Sequence, residues 1–147
     1  MTDREWMAEA IKEAKAALIE NEVPVGAVIV KNNRIAAKAH NRCNAENDPT
    51  LHAEMVAMKE AYAREGSLEG CTMYVTLEPC AMCAGAMLHM HLPRLVFGAL
   101  DRICGCCGSR IDLGDHWFDH SIETSGGIME AECADLLQTF FRSIRSE

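Results

Sequence analysis

Two short pieces of this chain, His52-Ala53-Glu54 and Pro79-Cys80-Ala81-Met82-Cys83, carry side chains that belong at one point in space. One imidazole and two thiolates fill three corners of a zinc tetrahedron and leave the fourth open. Structural zinc sites close all four positions with protein ligands, whereas an open position holds water. Glu54 is not needed as a ligand and is free to move protons, so the set has the parts of a hydrolytic centre. Any fold for this chain has to bring these two distant segments together, and local patterns say how. His52 falls in the first turn of a helix expected over 50–63, capped by Asp48 or Thr50. Cys80 and Cys83 fall in the first turn of a helix expected from Pro79 to about His89. Proline is well tolerated there, and i, i+3 spacing puts both sulfurs on one face. Helix N-termini carry partial positive charge, which favours thiolate over thiol. Two helix starts are therefore expected to face each other across one zinc ion per chain, held by His52, Cys80 and Cys83, with Glu54 as the catalytic acid/base.

The remaining segments supply a frame for those helices. Glu5 to Glu20 has apolar residues at helical spacing and ends before Val23-Pro24-Val25. Gly26 to Val30 and Arg34 to Ala39 read as strands of a hairpin turning at Asn32-Asn33. Strands are also expected at Thr72–Leu77, Leu92–Ala99 and a short Ile122–Thr124, and a last helix at Met129–Arg145. Asp101 to Asp119 reads as irregular. The order helix, hairpin, helix, strand, helix, strand, short strand, helix predicts a layered α/β domain with a central mixed sheet, spanning residues 1–147 as one unit.

Composition narrows the setting. No apolar run approaches the roughly 18 residues that span a bilayer. Met1-Thr2-Asp3-Arg4-Glu5 lacks the basic start and apolar middle of an export signal, so the reading is cytoplasmic, with no membrane partner. The eight cysteines are then expected to stay reduced. Cys133 is a small core residue of the last helix. A redox role for Cys80-x-x-Cys83, a fourth zinc ligand from Cys104, Cys106 or Cys107, and a second metal at those three cysteines are the competing readings. The net charge of −8 argues against broad, non-specific nucleic-acid binding, which needs a positive field. It leaves room for a local basic patch, for which Arg142 and Arg145, with Arg94, Arg102 and Arg110, are the candidates.

The motif His52-Ala53-Glu54 with Thr76-Leu77-Glu78-Pro79-Cys80-Ala81-Met82-Cys83-Ala84-Gly85-Ala86 resembles the signature of the cytidine deaminase superfamily. Within it, the chain is similar to the bacterial tRNA-specific adenosine deaminases. That likeness runs through Glu22-Val23-Pro24-Val25-Gly26-Ala27-Val28, Asn41-Arg42, Asp48-Pro49-Thr50, Val96-Phe97-Gly98-Ala99, Glu132-Cys133-Ala134-Asp135-Leu136-Leu137 and Phe140-Phe141. The resemblance implies a three-layer cytidine-deaminase-like α/β fold, with a central mixed five-stranded sheet flanked by helices. It implies a homodimer that converts the wobble adenosine of a tRNA anticodon loop to inosine. Asn41 would hydrogen-bond the flipped base, the Ala53 N–H would face it, Asp101 would contact the neighbouring ribose, and Val23, Pro24 and Leu77 would wall the pocket. The chain departs from that pattern by lacking basic residues near Leu100 and Ile103. It has cysteines in Gly105-Cys106-Cys107-Gly108-Ser109, and Asp119-His120 where an Asn-His pair is usual. Deamination of a free base or nucleoside is the alternative, and a non-catalytic zinc-stabilised module the remote one.

Overall fold

Alternation along the strands decides the layers. In β1 (Gly26–Lys31) Ala27 and Ile29 point to one side and Val28 and Val30 to the other, and all four are buried. A sheet apolar on both faces must be covered on both. The computed structural model, which describes residues 1–113 and 120–145, shows that it is. The sheet has five strands in the order β2-β1-β3-β4-β5: β2 is Arg34–His40, β3 Cys71–Leu77, β4 Arg94–Ala99 and β5 Glu123–Ser125. Helices α2 (Ala53–Glu65) and α3 (Ala81–His89) cover the face of Ala27, Ile29, Met73, Val75 and Leu95. Helices α1 (Asp3–Ile19) and α4 (Glu130–Arg145) cover the face of Val28, Val30, Tyr74 and Val96. Cys133 is buried in that second core, as expected of a small apolar side chain. The result is the expected three-layer α/β architecture with a mixed sheet.

The hairpin turns where expected. Asn32 and Asn33 both have positive φ, 53° and 58°, the conformation of a tight type I′ turn, which asparagine tolerates. Ile29 pairs with Ala37 and Val30 with Ile35, so Ala36 is an extra residue in a bulge.

Three helix starts lie one to three residues later than the sequence suggests. Asp48 accepts hydrogen bonds from the Thr50 N–H and hydroxyl, at 2.9 and 2.7 Å. It closes a turn of its own instead of capping α2. His52 is extended (φ −66°, ψ 151°) and is the N-cap of α2, and Cys80 (φ −79°, ψ 179°) is the N-cap of α3. His52 and Cys80 thus precede their helices instead of lying in the first turn. Met129 is left-handed (φ 56°), which delays α4 to Glu130.

Topology puts the chain's chemistry at one end of the sheet. β3 and β4 run parallel, with Leu77 opposite Ala99. β1 is antiparallel to β3, so the segment entering β1 lies at the same end. Gly26 of β1 pairs with His40, which brings in the exit from β2. Val23 and Pro24, Asn41, Leu77 to Cys80, and Asp101 therefore emerge together. His116 and Asp119 lie outside the described residues.

Candidate active site

His52 and Cys80 end extended segments at this edge, and Cys83 lies in the first turn of α3. The His52 Nδ1 is 3.6 Å from the sulfur of Cys80 and 3.6 Å from that of Cys83. All three potential ligand atoms lie within 4.8 Å of one another. Bonds of about 2.3 Å to sulfur and about 2.0–2.1 Å to nitrogen at a tetrahedral angle would separate N and S by roughly 3.6 Å. The observed spacing is thus that of a tetrahedron's edges, and the residues present fit zinc. Among the described residues no other trio of His, Cys, Asp or Glu converges in this way. The sulfurs of Cys104, Cys106 and Cys107 neither join this group nor make a second one.

The electrostatics suit a metal. Hydrogen bonds from Cys83 and His52 hold the Cys80 thiol far below its usual range, at about 3. The Cys80 thiolate, and then burial, push Cys83 upward. The same contact with Cys80 raises His52 above an ordinary histidine. Metal binding releases protons from such ligands, so these crowded ligand atoms are a place where a divalent cation would displace protons. Glu54, in the first turn of α2, is 4% exposed. Burial pushes its carboxyl up to about 7, against opposing pulls from its backbone hydrogen bond and from His52.

The expected substrate residues fall around this group in different ways. Asn41 is buried, and its Oδ1 accepts the Ala53 N–H at 2.8 Å. It thereby caps α2 beside His52, and the Ala53 N–H is already engaged. Val23, Leu77 and Asp101 line a cavity of about 520 Å³, whose far wall is Leu137 and Phe141 of α4. Neither the three ligands nor Glu54 lines that cavity; it adjoins them through the Leu77–Cys80 segment. Pro24 is buried next to it. Arg142 and Arg145 are exposed on α4, close in sequence to Phe141.

Two buried carboxylates hold the loops around the site, and sequence reasoning assigned neither a role. Glu22, 1% exposed, accepts the Asn44 and Ala45 N–H groups at 2.9 and 2.7 Å, and so ties the loop after Asn41 to the entry of β1. Glu78, 2% exposed, does the same for the loop after β4. Burial alone would raise the Glu78 carboxyl. The hydroxyl and N–H of Ser109, with the N–H groups of Asp101 and Cys107, outweigh it and hold the group below the usual carboxylate range. The available signal was an acidic residue directly after an uncharged, mostly buried strand, Thr72 to Leu77.

Residues 1–99 match the cytidine and deoxycytidylate deaminase zinc-binding region. The chain belongs to the cytidine and deoxycytidylate deaminase family. Within this deaminase family it is similar to the tRNA-specific adenosine deaminase of Bacillus subtilis (strain 168), with 46% identity over 99% of this chain and 92% of that one. A structure solved in studies of A-to-I editing by tRNA:A34 deaminases at the wobble position of transfer RNA has a TM-score of 0.87 and 37% identity. It covers 90% of this chain and 99% of its own. Guanine deaminase from Bacillus subtilis shares the deaminase fold less completely, with a TM-score of 0.65 and 33% identity over 68% of this chain and 66% of that one.

Proposed function

We infer that this protein is a zinc-dependent hydrolytic deaminase that converts adenosine to inosine at the wobble position of a tRNA anticodon. The observation that carries the reading is the 46% identity to a tRNA-specific adenosine deaminase across nearly the full length of both chains. The ligand trio and Glu54 lie within that span.

His52, Cys80 and Cys83 would hold one zinc ion per chain. When bound, zinc supplies Lewis-acid activation of water. Glu54 takes a proton from the attacking water and passes it to N1 of the adenine ring. It then takes the second proton from the oxygen now bonded to C6 and delivers it to the departing amine, so the C6–N bond breaks, C6=O forms, and adenosine and water become inosine and ammonia. Asn41 spends its Oδ1 on the Ala53 N–H, which leaves its amide N–H groups to donate to an acceptor on the base edge. Ala53 then acts on the base indirectly, by fixing Asn41 through its N–H. Val23, Pro24 and Leu77 form the apolar side, and Asp101 meets a ribose at the cavity mouth. Arg142 and Arg145 contact phosphates.

Residues 1–147 act as one domain, since α4 completes the second core against β3 and β4. A homodimer through α3 is supported by the methionines on and just after it: Met87 is fully buried in the chain's own core, whereas Met82 and the C-cap Met90 are only half-buried. Adaptable Met-rich surface suits a packed interface. Among the described residues no helix is long and apolar enough to cross a membrane, and a tRNA substrate suits a cytoplasmic enzyme.

The test measures inosine formation in an anticodon stem-loop RNA beside ammonia release from free adenosine, cytidine, guanine and cytosine. The RNA is expected to react. In Arg142→Glu with Arg145→Glu, RNA deamination should fall sharply with zinc content unchanged. The salt dependence of binding should weaken by about one unit of slope for each phosphate that is no longer neutralised. Ammonia from a free base or nucleoside, with none from the RNA, would overturn the tRNA reading and leave the zinc chemistry standing.

A further inference from the structure

Glu78 precedes the ligand segment and is almost wholly buried, yet every hydrogen-bond partner of its carboxylate lies on another part of the chain. Oε1 accepts from the Asp101 N–H at 3.1 Å and from the Ser109 hydroxyl. Oε2 accepts from the Cys107 and Ser109 N–H groups at 3.1 and 2.9 Å. The next residue repeats the attachment, since the Pro79 carbonyl accepts the Cys106 N–H at 2.9 Å. Gly105 passes so close over the carboxyl that a Cβ there would lie 2.4 Å from its carbon. The loop is also wound on itself: the Asp101 side chain accepts the Ile103 and Cys104 N–H groups, at 3.1 and 3.0 Å, and its carbonyl accepts the Gly105 N–H at 2.9 Å. Loop 101–109 is therefore a small rigid body, bolted to the two residues that lead into Cys80.

A carboxylate is the side chain that this arrangement requires, because all four neighbours are donors and an ionised carboxylate only accepts. Glutamine places its amide group against either the Asp101 N–H and the Ser109 hydroxyl, or the Cys107 and Ser109 N–H groups. Either way at least one buried backbone N–H loses its acceptor. Aspartate lacks the methylene needed to reach the loop.

We propose that Glu78 is a positioning residue for deamination: it fixes loop 101–109 to the zinc-ligand segment and so presents Asp101 to the RNA at a set distance from the reacting base. The role rests on the tRNA reading above and adds to it a residue that touches neither metal nor substrate. Loss of the clamp should weaken substrate binding while leaving the chemistry intact.

The experiment compares Glu78→Gln, Ser109→Ala, Asp101→Ala and the double variant Glu78→Gln with Asp101→Ala. Zinc content, kcat and KM on the stem-loop, and amide hydrogen exchange are measured for each. Glu78→Gln should keep its zinc, raise KM about tenfold and change kcat by less than about threefold. Ser109→Ala, which removes one donor and leaves the fold undisturbed, should raise KM about threefold, and it carries the kinetic test if Glu78→Gln does not fold. In the Asp101→Ala background, Glu78→Gln should raise KM by less than about twofold, because the loop no longer has that side chain to present. Loss of zinc, a fall in kcat at unchanged KM, or independent multiplicative effects of the two substitutions would each overturn the proposal. If wild-type protein leaves the stem-loop unreacted, the tRNA reading is what has failed. The clamp is then decided by the Asp101, Cys107 and Ser109 amides, at least one of which should exchange faster in Glu78→Gln; unchanged protection of all three sinks it.

Discussion

At the scale of single residues, the ligands and Glu54 can be told apart because they do different work. Cys83→Ala removes a buried thiol that faces His52 Nδ1. It should lose zinc and destabilise the fold, since metal binding and folding are coupled; a metal assay after gel filtration checks this, and stoichiometric zinc would show the ligand to be misassigned. Glu54→Ala should keep zinc and melt close to wild type, yet lose activity by about 10²–10⁴-fold or more, the range for removing a general acid/base that here moves more than one proton. A variant with above about a tenth of wild-type turnover would be incompatible with that role. The spacing of His52, Cys80 and Cys83 made their convergence legible from the chain alone, because metal ligands are few in type and strict in geometry. Glu22 and Glu78 stayed hidden because their partners are backbone N–H groups, which every sequence contains.

At the scale of elements, the close contact between α1 and β1 is the part most sensitive to one atom. A Cβ at Gly26 would lie 2.1 Å from the Ala10 carbonyl oxygen and 2.5 Å from the Ala14 nitrogen, both backbone atoms that cannot rotate away. Gly26→Ala should therefore push α1 off the sheet and lower stability by about 1–3 kcal/mol, read from urea unfolding. A change below a few tenths would mean that the helix floats more freely than this contact implies. The same scale accounts for the shifted helix starts. Periodicity locates a helix within a few residues, but Asp48 chose a local turn over capping α2, a competition that short polar side chains commonly set up.

At the scale of the whole molecule, Asp3 at the start of α1 ties the beginning of the chain to β4. Its carboxylate takes both arms of the Arg94 guanidinium, at 3.0 and 2.6 Å, and the Tyr74 hydroxyl at 2.7 Å. The Arg94 hydrogen bonds hold the Asp3 carboxyl below its usual range. A carboxyl depressed in the folded state contributes stability that is fully present above its unfolded pKa, about 3.9, and is lost as pH falls through the lower folded value. Thermal melts of wild type and Asp3→Asn should thus differ at neutral pH, with the variant less stable, and converge as pH drops below about 4. A gap of constant size down to pH 2 would show that the pair is not linked to folding. The net charge of −8 also belongs to this scale. It describes the whole surface and says little about any one patch; Arg142 and Arg145 stand exposed on α4, close in sequence to Phe141 of the cavity wall.

Element order, the layered arrangement and the convergence of the zinc-ligand residues can all be read from the chain alone. Each of these is written in periodicity or in the spacing of rare side chains, both local properties of the chain. Which segments share the site is set by tertiary packing. The parallel pairing of β3 with β4 sets Glu78 beside Asp101, and the pairing of β1 with β2 brings Asn41 to Ala53. Those contacts join residues whose meeting depends on strand order, and strand order is settled by packing the two apolar faces of one sheet, which no short stretch of sequence records.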